Sequence, residues 1–515
     1  MSLTLLNALQ DSALYDHPVS GFTVMETHIS WILLTGDIVY KIKKPVDFGF
    51  IDYSTLDRRA HFCEEEVRLN RRLAPEMYLG VVPVYGSAAA PTLTADGTPI
   101  EYMVKTRQFR QQDLLGNMQR AGTLQPAHID ALATRLAAFH DRANRAEPGS
   151  EWGEPQQLHA PVAQNFEQIR PLLSDPKHLA QLEQLELWAH TTFERLIPQL
   201  SQRKTDGFIR ECHGDIYLDN VTLIDGQVTL FDCIEFNEAF RWIDVMSDVA
   251  FMAMDLEDRG LNGLSQRFLS AYLEQTGDYA GLQVLNYYKA YRAMVRAKVA
   301  LLRLTQPDVS DTERQQTLLR YEGYARLAES YTAIPSRFGL VTVGISGSGK
   351  SVLASTLVET FGAVRLRSDI ERKRLFSQSG ASSEQAALYS EQATEQTYAR
   401  LGMLAASVLA AGFPVVVDAT HLKASHRRKT REHIELQGAP CLLLHCYAPI
   451  EVIERRVEAR QSEGQDPSDA DTAIARQQLD TFEPFDEAEQ ASALTVRTDQ
   501  PKSVAIVLEQ LRQKL

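Results

Sequence analysis

The chain has 515 residues, more than one ordinary hydrophobic core can organise, so we expect several domains. Its composition, 44% hydrophobic and 23% charged, is that of a globular protein and excludes a fibrous or low-complexity one. The net charge of −14 disfavours non-specific nucleic-acid binding, and no apolar stretch in the sequence is long enough to predict a membrane span.

The first 110 residues carry a strand pattern interrupted by one helix. Trp31–Leu34 and Ile38–Ile42 flank a Thr-Gly-Asp turn and predict a hairpin. A charged helix is predicted over Asp57–Leu73, and two further strands over Val81–Tyr85 and Glu101–Phe109. These elements predict a small, strand-rich lobe.

From residue 111 the pattern is helical, with short strands and loops near 205–237. The clearest helices are Val284–Leu304 and Thr312–Tyr331, and Ile334–Gly339 contains the Pro and Gly expected of a linker. We therefore predict an amino-terminal domain over 1–333, with an N-lobe over 1–110 and a helical C-lobe over 111–333, and a carboxyl-terminal domain over 334–515.

Two lysines at the predicted strand Ile38–Ile42, and three consecutive glutamates at 64–66, precede this helical region. Lys41 is a candidate amine for nucleotide phosphates, and Glu66, on the helix that follows, is its candidate partner. Lys43 projects to the same side of the strand as Lys41, and Glu64 and Glu65 are alternatives to Glu66. A solvated charge is the alternative interpretation for each of them.

The segment HGDIYLDN at 213–220, followed by Asp232, has the layout of a phosphotransfer loop. In that chemistry Asp215 orients and deprotonates an acceptor hydroxyl, while Asn220 and Asp232 are oxygen ligands for Mg²⁺ on the nucleotide phosphates. The histidine is expected to brace the loop by hydrogen bonds. The alternative is a pair of polar hairpin turns, one of them at Asp225-Gly226.

Together these residues resemble the aminoglycoside phosphotransferase family, within the wider protein-kinase-like fold, over about 30–305. The resemblance includes the helix Leu136–His140, and it implies a bilobal fold that uses ATP and Mg²⁺. The chain has no GxGxxG loop, and nothing in 240–305 is tied to aminoglycosides. The resemblance therefore implies phosphotransfer to a hydroxyl, not antibiotic resistance.

Four cations in the predicted helix over 284–304 share one helix face: Lys289, Arg292, Arg296 and Arg303. One hypothesis is that this face binds a phosphorylated or carboxylated acceptor. The alternative, which we favour from sequence, is a solvated or interdomain face.

The segment GISGSGKS at 344–351 matches the phosphate-loop pattern GxxxxGK[ST], between a predicted strand, Leu340–Val343, and a predicted helix that begins near Val352. The backbone N–H groups of such a loop bind phosphates, Lys350 reaches the β- and γ-phosphates, and the Ser351 hydroxyl binds Mg²⁺. The residues predicted to bind ATP are Gly344, Ser346, Gly347, Ser348, Gly349, Lys350 and Ser351.

Predicted strands at 340–343, 363–367, 413–418, 440–446 and 493–498 alternate with helices, which predicts a parallel sheet with flanking helices. Strand ends of such a sheet face the ligand. Asp369 is the candidate base, with helix capping as the alternative, and Arg372 is placed to hold an anionic substrate or the transferring phosphate. Asp418, in a Walker B arrangement, is a candidate Mg²⁺ ligand.

Arg456 and Arg460 are four residues apart on one helix face and are candidate lid residues that neutralise charge in the transition state. Ion pairing with nearby glutamates is the alternative for each. Over about 340–485, GISGSGKS, RSDIERKRL, VVVDATHLKASHRR and this arginine pair resemble the polynucleotide kinase, gluconate kinase and zeta-toxin group of P-loop kinases. The resemblance is closest to the polynucleotide 5′-hydroxyl kinase pattern.

The joined order of the two halves resembles a bacterial family of two-part phosphotransferase/ATP-binding proteins. We predict a cytoplasmic, ATP- and Mg²⁺-dependent kinase with two nucleotide sites that phosphorylates a hydroxyl of a small molecule. Five cysteines without a CxxC pair, and a start unlike a signal peptide, favour that reducing compartment. The alternatives are an ATP-dependent sensor with little turnover and a nucleic-acid 5′-hydroxyl kinase; the sequence predicts no membrane partner and no oligomeric state.

Overall fold

A computed structural model describes residues 3–49, 51–305, 309–333, 336–378, 390–463 and 471–515. The contacts divide the chain into two compact units. The amino-terminal unit comprises Met1–Leu256 and Tyr287–Ala328, and the carboxyl-terminal unit comprises Glu257–Asn286 and Glu329–Leu515. The predicted linker begins with residues 334 and 335, which lie outside the described residues, and the boundary at 333 stays a prediction.

The elements of the first 258 residues begin with a strand-rich lobe and continue with a mainly helical part. They are α1 (Leu3–Ala8), β1 (Thr23–Glu26), β2 (Ser30–Leu34), β3 (Ile38–Lys43), α2 (Leu56–Asn70), β4 (Tyr78–Ser87), β5 (Ala90–Thr92), β6 (Glu101–Arg107), α3 (Leu115–Arg120), α4 (Pro126–Arg142), α5 (Pro155–Ile169), α6 (Pro176–Thr205), β7 (Ile209–Glu211), β8 (Val221–Ile224), β9 (Gln227–Leu230), β10 (Trp242–Asp244) and α7 (Val245–Asp258).

The remaining elements include the alternating strands and helices expected after residue 340. They are α8 (Asn262–Thr276), α9 (Leu282–Leu302), α10 (Asp311–Ser330), β11 (Gly339–Val343), α11 (Lys350–Phe361), β12 (Val364–Arg367), α12 (Ser368–Gln378), α13 (Glu391–Ala410), β13 (Val415–Asp418), α14 (Ala424–Glu435), β14 (Cys441–Tyr447), α15 (Ile450–Glu463), α16 (Thr472–Asp480), α17 (Glu487–Ser492), β15 (Ala493–Arg497) and α18 (Pro501–Lys514).

The amino-terminal unit contains a six-stranded sheet in the order β1-β2-β3-β6-β4-β5. The predicted hairpin is part of this sheet, and β2 and β3 pair in antiparallel register with Ile32 opposite Lys41. One face of the sheet buries Leu33, Tyr40 and Ile42 in a hydrophobic cluster. Side chains alternate between faces along a strand, so Lys41 and Lys43 project from the other face. There α2 packs against β6 and β4.

The helical part of this unit holds two short strand pairs, β7 with β10 and β8 with β9. The β8–β9 turn has Asp225 and Gly226 at φ of 50° and 79°, the left-handed conformations that a tight hairpin turn requires. The polar turn expected here is therefore present. It lies between Asn220 and Asp232, which flank the hairpin.

The carboxyl-terminal unit is built on a five-stranded sheet in the order β12-β13-β11-β14-β15, and all its strand pairs are parallel. Its core includes Leu340 of β11, Leu353 and Leu357 of α11, Val416 of β13 and Leu444 of β14, each at most 2% exposed. The predicted parallel sheet with flanking helices is what the structure contains.

Helix α8 covers the β12 edge of this sheet, although it precedes β12 by almost a hundred residues. Arg365 Nε donates to Glu274 Oε1 at 2.6 Å, and the backbone N–H of Arg365 donates to Ser270 Oγ at 3.1 Å. An ion pair between Arg267 and Glu359, 2.7 Å apart, adds a contact to α11. The segment containing α8 thus supports the strand that leads to Asp369.

Among the described residues, no helix combines the length and apolarity needed to cross a bilayer.

Candidate functional sites

Both strand lysines of the amino-terminal unit contact Glu66. Lys41 Nζ lies 3.0 Å from Glu66 Oε1, and Lys43 Nζ lies 2.6 Å from Glu66 Oε2. Glu65 instead pairs with Arg68 on the surface of α2. Of the three glutamates considered from the sequence, Glu66 is therefore the one brought to both lysines, because the other two lie on different faces of the helix.

The two lysines differ in burial and in their second partner. Lys43 is 1% exposed and also pairs with Glu235, which accepts a hydrogen bond from the Tyr53 hydroxyl. Lys41 is 20% exposed, and its Nζ lies 2.7 Å from Asp232 Oδ1. Burial alone raises the pKa of Glu66, but the two ammonium groups outweigh it and lower that pKa to about 2. Lys41 is the amine that a ligand can reach.

The catalytic-loop candidate is fixed through its backbone. Asp248 of α7 accepts hydrogen bonds from the backbone N–H groups of His213 and Gly214, both at 2.9 Å. Gly214 has a φ of 87°, and a Cβ there would lie 2.6 Å from the Phe240 carbonyl oxygen, so only glycine fits. His213 Nε2 contacts the Phe231 carbonyl at 2.9 Å, which is the bracing expected of this histidine.

Asp215 and Asn220 are joined directly. The Asn220 side-chain amide donates to the Asp215 carbonyl at 2.9 Å and to its carboxylate at 3.1 Å. Burial raises the pKa of Asp215 to about 6, although the charge of Arg296 opposes this shift. A carboxyl with this pKa is suited to accept a proton near neutral pH.

Asp232 follows the β8–β9 hairpin with a φ of 66°, a left-handed conformation that costs a non-glycine residue about 1 kcal/mol or more. Its carboxylate is 41% exposed and lies beside Lys41. The Asp232 carboxylate and the Asn220 amide oxygen are hard oxygen donors, which is the chemistry that fits Mg²⁺. Their roles as metal ligands stay predictions.

In the carboxyl-terminal unit, the phosphate-loop candidate joins β11 to α11. Gly349 has a φ of 87°, and a Cβ there would come within 2.8 Å of the Thr498 side chain. Lys350 Nζ donates to the Ile345 carbonyl at 2.8 Å within the loop. Burial lowers the pKa of Lys350, and the carboxylate of Asp418 opposes this effect. The sequence predicted this strand, turn and helix correctly.

A cavity of about 650 Å³ opens beside the loop. Its lining includes every residue of this half that the sequence assigned to catalysis or to metal: Ser351, Asp369, Arg372, Asp418, Arg456 and Arg460. Lys350, Ser346, Gly347 and Gly349 line it as well, whereas Gly344 and Ser348 are not in its lining. Asp418 ends β13, and the phosphate loop and α12 follow the carboxyl ends of β11 and β12, as expected where parallel strands meet a ligand, whereas Arg456 and Arg460 lie on α15.

Two carboxylates face this cavity in different environments. Asp418 Oδ2 is buried and has no hydrogen-bond partner among the described residues. A buried carboxylate oxygen without a hydrogen bond, in a cavity that Ser351 also lines, fits a Mg²⁺ site. Burial raises the pKa of Asp369, against the charge of Arg372, and Asp418 adds to the increase.

The helix that carries Asp369 and Arg372 is anchored by a buried glutamate. Glu371 is 0% exposed, pairs with Arg374, and accepts from Arg400 Nε of α13 at 2.6 Å. Asp369 lies in the first turn of α12. Its negative charge there interacts favourably with the helix dipole, and the same side chain lines the cavity. A role at the helix amino terminus and a catalytic role are therefore compatible.

Arg456 is tied to the loop, which sequence reasoning did not anticipate. Its Nη1 donates to Thr498 Oγ1 at 3.0 Å and its Nη2 to the Thr498 carbonyl at 3.1 Å. The Thr498 hydroxyl in turn donates to the Ser348 carbonyl at 2.6 Å. Thr498 directly follows β15, and the rule that ligand sites gather at the carboxyl ends of parallel strands was the signal available for it.

Gln478 of α16 was also missed. Its Oε1 accepts a hydrogen bond from the backbone N–H of Ser346 at 2.7 Å. This backbone N–H is one of those that bind phosphate in a loop of this type. No sequence signal marks Gln478, since it is one polar residue on a largely exposed helix.

Two family models match the chain, one in each half. The model of the phosphotransferase enzyme family matches residues 55–285, and an AAA-domain model matches residues 340–485. The uncharacterised proteins Rv2004c of Mycobacterium tuberculosis and Mb2027c of Mycobacterium bovis are each 30% identical to the chain over 472 residues, which is 90% of this chain and 92% of each relative. The chain belongs to their family. It is a kinase-type enzyme in which a phosphotransferase domain precedes a P-loop kinase domain.

Solved structures resemble each half at low identity. A gluconokinase from Sinorhizobium meliloti is 22% identical, covering 35% of this chain and 98% of its own, with a TM-score of 0.26. A choline/ethanolamine kinase family protein from Mesorhizobium loti is 13% identical, covering 64% of this chain and 97% of its own, with a TM-score of 0.39. The resemblance and fold class inferred from the sequence are confirmed by the family matches, and the roles of individual residues stay predictions.

We predict that Lys41→Met mainly weakens ATP binding, whereas Lys43→Met mainly lowers the free energy of unfolding. Lys41→Met removes the accessible amine while Lys43 still neutralises Glu66, so ATP binding weakens and the free energy of unfolding falls by less than about 1 kcal/mol. Lys43→Met leaves Glu66 and Glu235 buried with too little positive charge, which costs about 3–5 kcal/mol. Urea denaturation followed by tryptophan fluorescence reports on this unit, because all four tryptophans lie in it. Equal destabilisation by both variants would contradict the division of roles.

We also predict that Gln478→Ala strengthens ATP binding to the carboxyl-terminal unit. The Gln478 amide competes for the Ser346 N–H, and a hydrogen bond of this kind contributes about 1 kcal/mol, so affinity rises about fivefold. Calorimetric titration with a non-hydrolysable ATP analogue in a Lys41→Met background measures it. Gln513→Ala, which removes the same side chain from an exposed position of α18 outside the cavity lining, is the control and leaves affinity unchanged. Weaker binding by Gln478→Ala would mean that this amide holds the nucleotide instead of competing with it.

Proposed function

We propose that the chain is an ATP- and Mg²⁺-dependent kinase with two separate nucleotide sites, each transferring the γ-phosphoryl group to a hydroxyl of a small molecule. The observation that carries the proposal is shared by both units. Each combines a phosphate-loop or strand lysine with a carboxyl whose burial raises its pKa, Asp215 in one and Asp369 in the other. Nucleotide binding alone does not require such a carboxyl, so this observation favours catalysis over a sensor.

In the amino-terminal unit, the proposed chemistry follows from the contacts of the loop. Asp215 takes the proton of the acceptor hydroxyl while that oxygen forms a bond to the γ-phosphorus, and the bond from this phosphorus to the β–γ bridging oxygen breaks as ADP leaves. Lys41, oriented by Glu66, holds the nucleotide phosphates. Mg²⁺, when bound by Asn220 and Asp232, supplies charge neutralisation on those phosphates.

In the carboxyl-terminal unit, Asp369 has the corresponding role as proton acceptor. Lys350 and the loop N–H groups hold the phosphates, and Asp418 with the Ser351 hydroxyl would hold Mg²⁺. Arg372 and Arg460 face the same cavity and supply positive charge for the phosphoryl group in transfer. Arg456 acts mainly by fixing the loop through Thr498.

The proposed location is the cytoplasm, and the proposed acceptor is a small molecule. All five cysteines are buried free thiols, which supports a reducing compartment. The net charge of −14 supports a small-molecule acceptor over a nucleic acid, because a polyanion would be repelled at long range.

The assignment is tested with Asp215→Asn and Asp369→Asn, each assayed for ATP-dependent transfer to sugars, nucleosides, aminoglycosides and 5′-hydroxyl oligonucleotides. We expect each variant to lose transfer to one set of acceptors by about a hundredfold or more and to retain transfer to the other, because a positioned general base contributes about 10²–10⁴-fold. Asp219→Asn, in the same loop but paired with Arg120, is the control and retains activity.

The pH profile of the Asp369→Asn variant tests Asp215 separately, because burial raises the pKa of both carboxyls. Transfer that depends on Asp215 needs its carboxylate, so the rate rises with pH through about 6, the raised pKa of this group. Turnover that survives both substitutions would show that neither carboxylate is the base. Phosphorylation of oligonucleotides alone would favour the nucleic-acid kinase.

A further inference from the structure

The four cations of the sequence hypothesis do not form one continuous solvated face. Three of them lie in α9, and Arg303 directly follows it. Lys289 and Arg292 are 6% and 4% exposed. Arg303 pairs with Glu313, 3.1 Å away. The interpretation as a solvated face is therefore wrong for Lys289 and Arg292, and the remaining cation, Arg296, has different surroundings from the other three.

Arg292 supports the loop that carries Asp215. Its Nη1 donates to the Gly214 carbonyl at 2.9 Å, and its Nε donates to Ser247 Oγ at 3.2 Å. Its guanidinium also lies over the Phe251 ring, 4.8 Å from the centroid. Through these contacts Arg292 holds the loop in place, so Arg292 is a positioning residue.

Arg296 lies one helical turn further along α9, beside the same loop. Its guanidinium carbon is 4.7 Å from the centroid of the Tyr217 ring and 6.0 Å from that of Tyr324. Tyr217 is two residues after Asp215, so the guanidinium borders the candidate base. In the part of the chain that the structure describes, no carboxylate lies within 4.0 Å of Arg296.

A guanidinium that is partly removed from water gains stability from an anion, and here the described residues supply two aromatic rings, a hydrogen bond to the Tyr324 hydroxyl and a carboxyl held further away. The guanidinium is planar and presents paired N–H donors that match the two oxygens of a carboxylate or phosphate. Tyr217 and Tyr324 limit where it can move. An oxyanion would therefore find a preorganised partner next to the group that takes the hydroxyl proton.

We propose that the acceptor of the amino-terminal unit carries an oxyanion, either a carboxylate or a phosphate, which Arg296 binds while the acceptor hydroxyl faces Asp215. The inference rests on the proposed function of this site and narrows its substrate class. Acceptors with several ammonium groups are disfavoured, because the positive charges of Arg292 and Arg296 border the loop.

The test uses the full chain with Lys350→Ala, which silences the phosphate loop of the other unit. Transfer from ATP is measured with glucose, gluconate and glucose 6-phosphate, which share a carbon skeleton and differ in the oxyanion. Binding of inorganic phosphate is measured by phosphorus NMR with a non-hydrolysable ATP analogue and Mg²⁺ present in excess. Each measurement is repeated with Arg296→Gln and with Arg303→Gln, a matched control that directly follows the same helix and whose partner is Glu313.

We expect Arg296→Gln to raise the KM of the anionic acceptor that is used and the dissociation constant of inorganic phosphate by about tenfold or more, while the KM of ATP stays the same. Arg303→Gln changes neither. Preference for gluconate or for glucose 6-phosphate identifies the oxyanion. Transfer to glucose that is as efficient as to either anion, or phosphate binding unchanged by Arg296→Gln, would overturn the inference and leave the proposed function intact. Absence of transfer to all acceptors would count against the proposed function, and phosphate binding would still decide the role of Arg296.

Discussion

An ionised side chain is stable inside a protein only when opposite charge or hydrogen bonds replace the water it loses, and both sites of this kinase obey that constraint. In the amino-terminal unit, Lys43 neutralises Glu66 and Glu235 and is itself inaccessible. In the carboxyl-terminal unit, Glu371 is neutralised by two arginines. Compensated charges of this kind hold the frame of each site in place, so that the groups assigned to ligands keep a fixed geometry.

Three of the groups that we assign to ligands have charges or polar atoms that the protein compensates incompletely. Asp418 has a buried oxygen without a hydrogen bond, and Asp215 has its pKa raised by burial. Arg296 has aromatic neighbours in place of a carboxylate. Mg²⁺ would compensate Asp418, the proton of an acceptor hydroxyl would neutralise Asp215, and an oxyanion would compensate Arg296. Both units thus hold incompletely compensated groups, although their folds differ.

The sequence was sufficient wherever a pattern is local. In GISGSGKS the glycines permit the required backbone conformations, and the flanking hydrophobic periods differ between strand and helix, so the loop and its neighbours followed from the sequence. The choice between Lys41 and Lys43 could not be made in the same way. Both lie on one strand face, and only the packing of Glu235 from a distant segment decides which one is buried.

Features that join distant segments were beyond sequence reasoning. Glu274 and Arg365 are 91 residues apart, so nothing in the local pattern of α8 shows that it braces β12. Gln478 lies 132 residues after Ser346 and resembles any other polar residue on an exposed helix. These contacts depend on how complete elements pack, whereas helix and strand periods report only on neighbours in the chain.

The central claim is that one chain holds two nucleotide sites, and binding stoichiometry tests it most directly. Native mass spectrometry of the full chain with Mg²⁺ and a non-hydrolysable ATP analogue should detect two nucleotides per chain at saturation. Lys350→Ala and Lys41→Met should each remove one of them. A single nucleotide per chain that is lost in only one of these variants would contradict the claim.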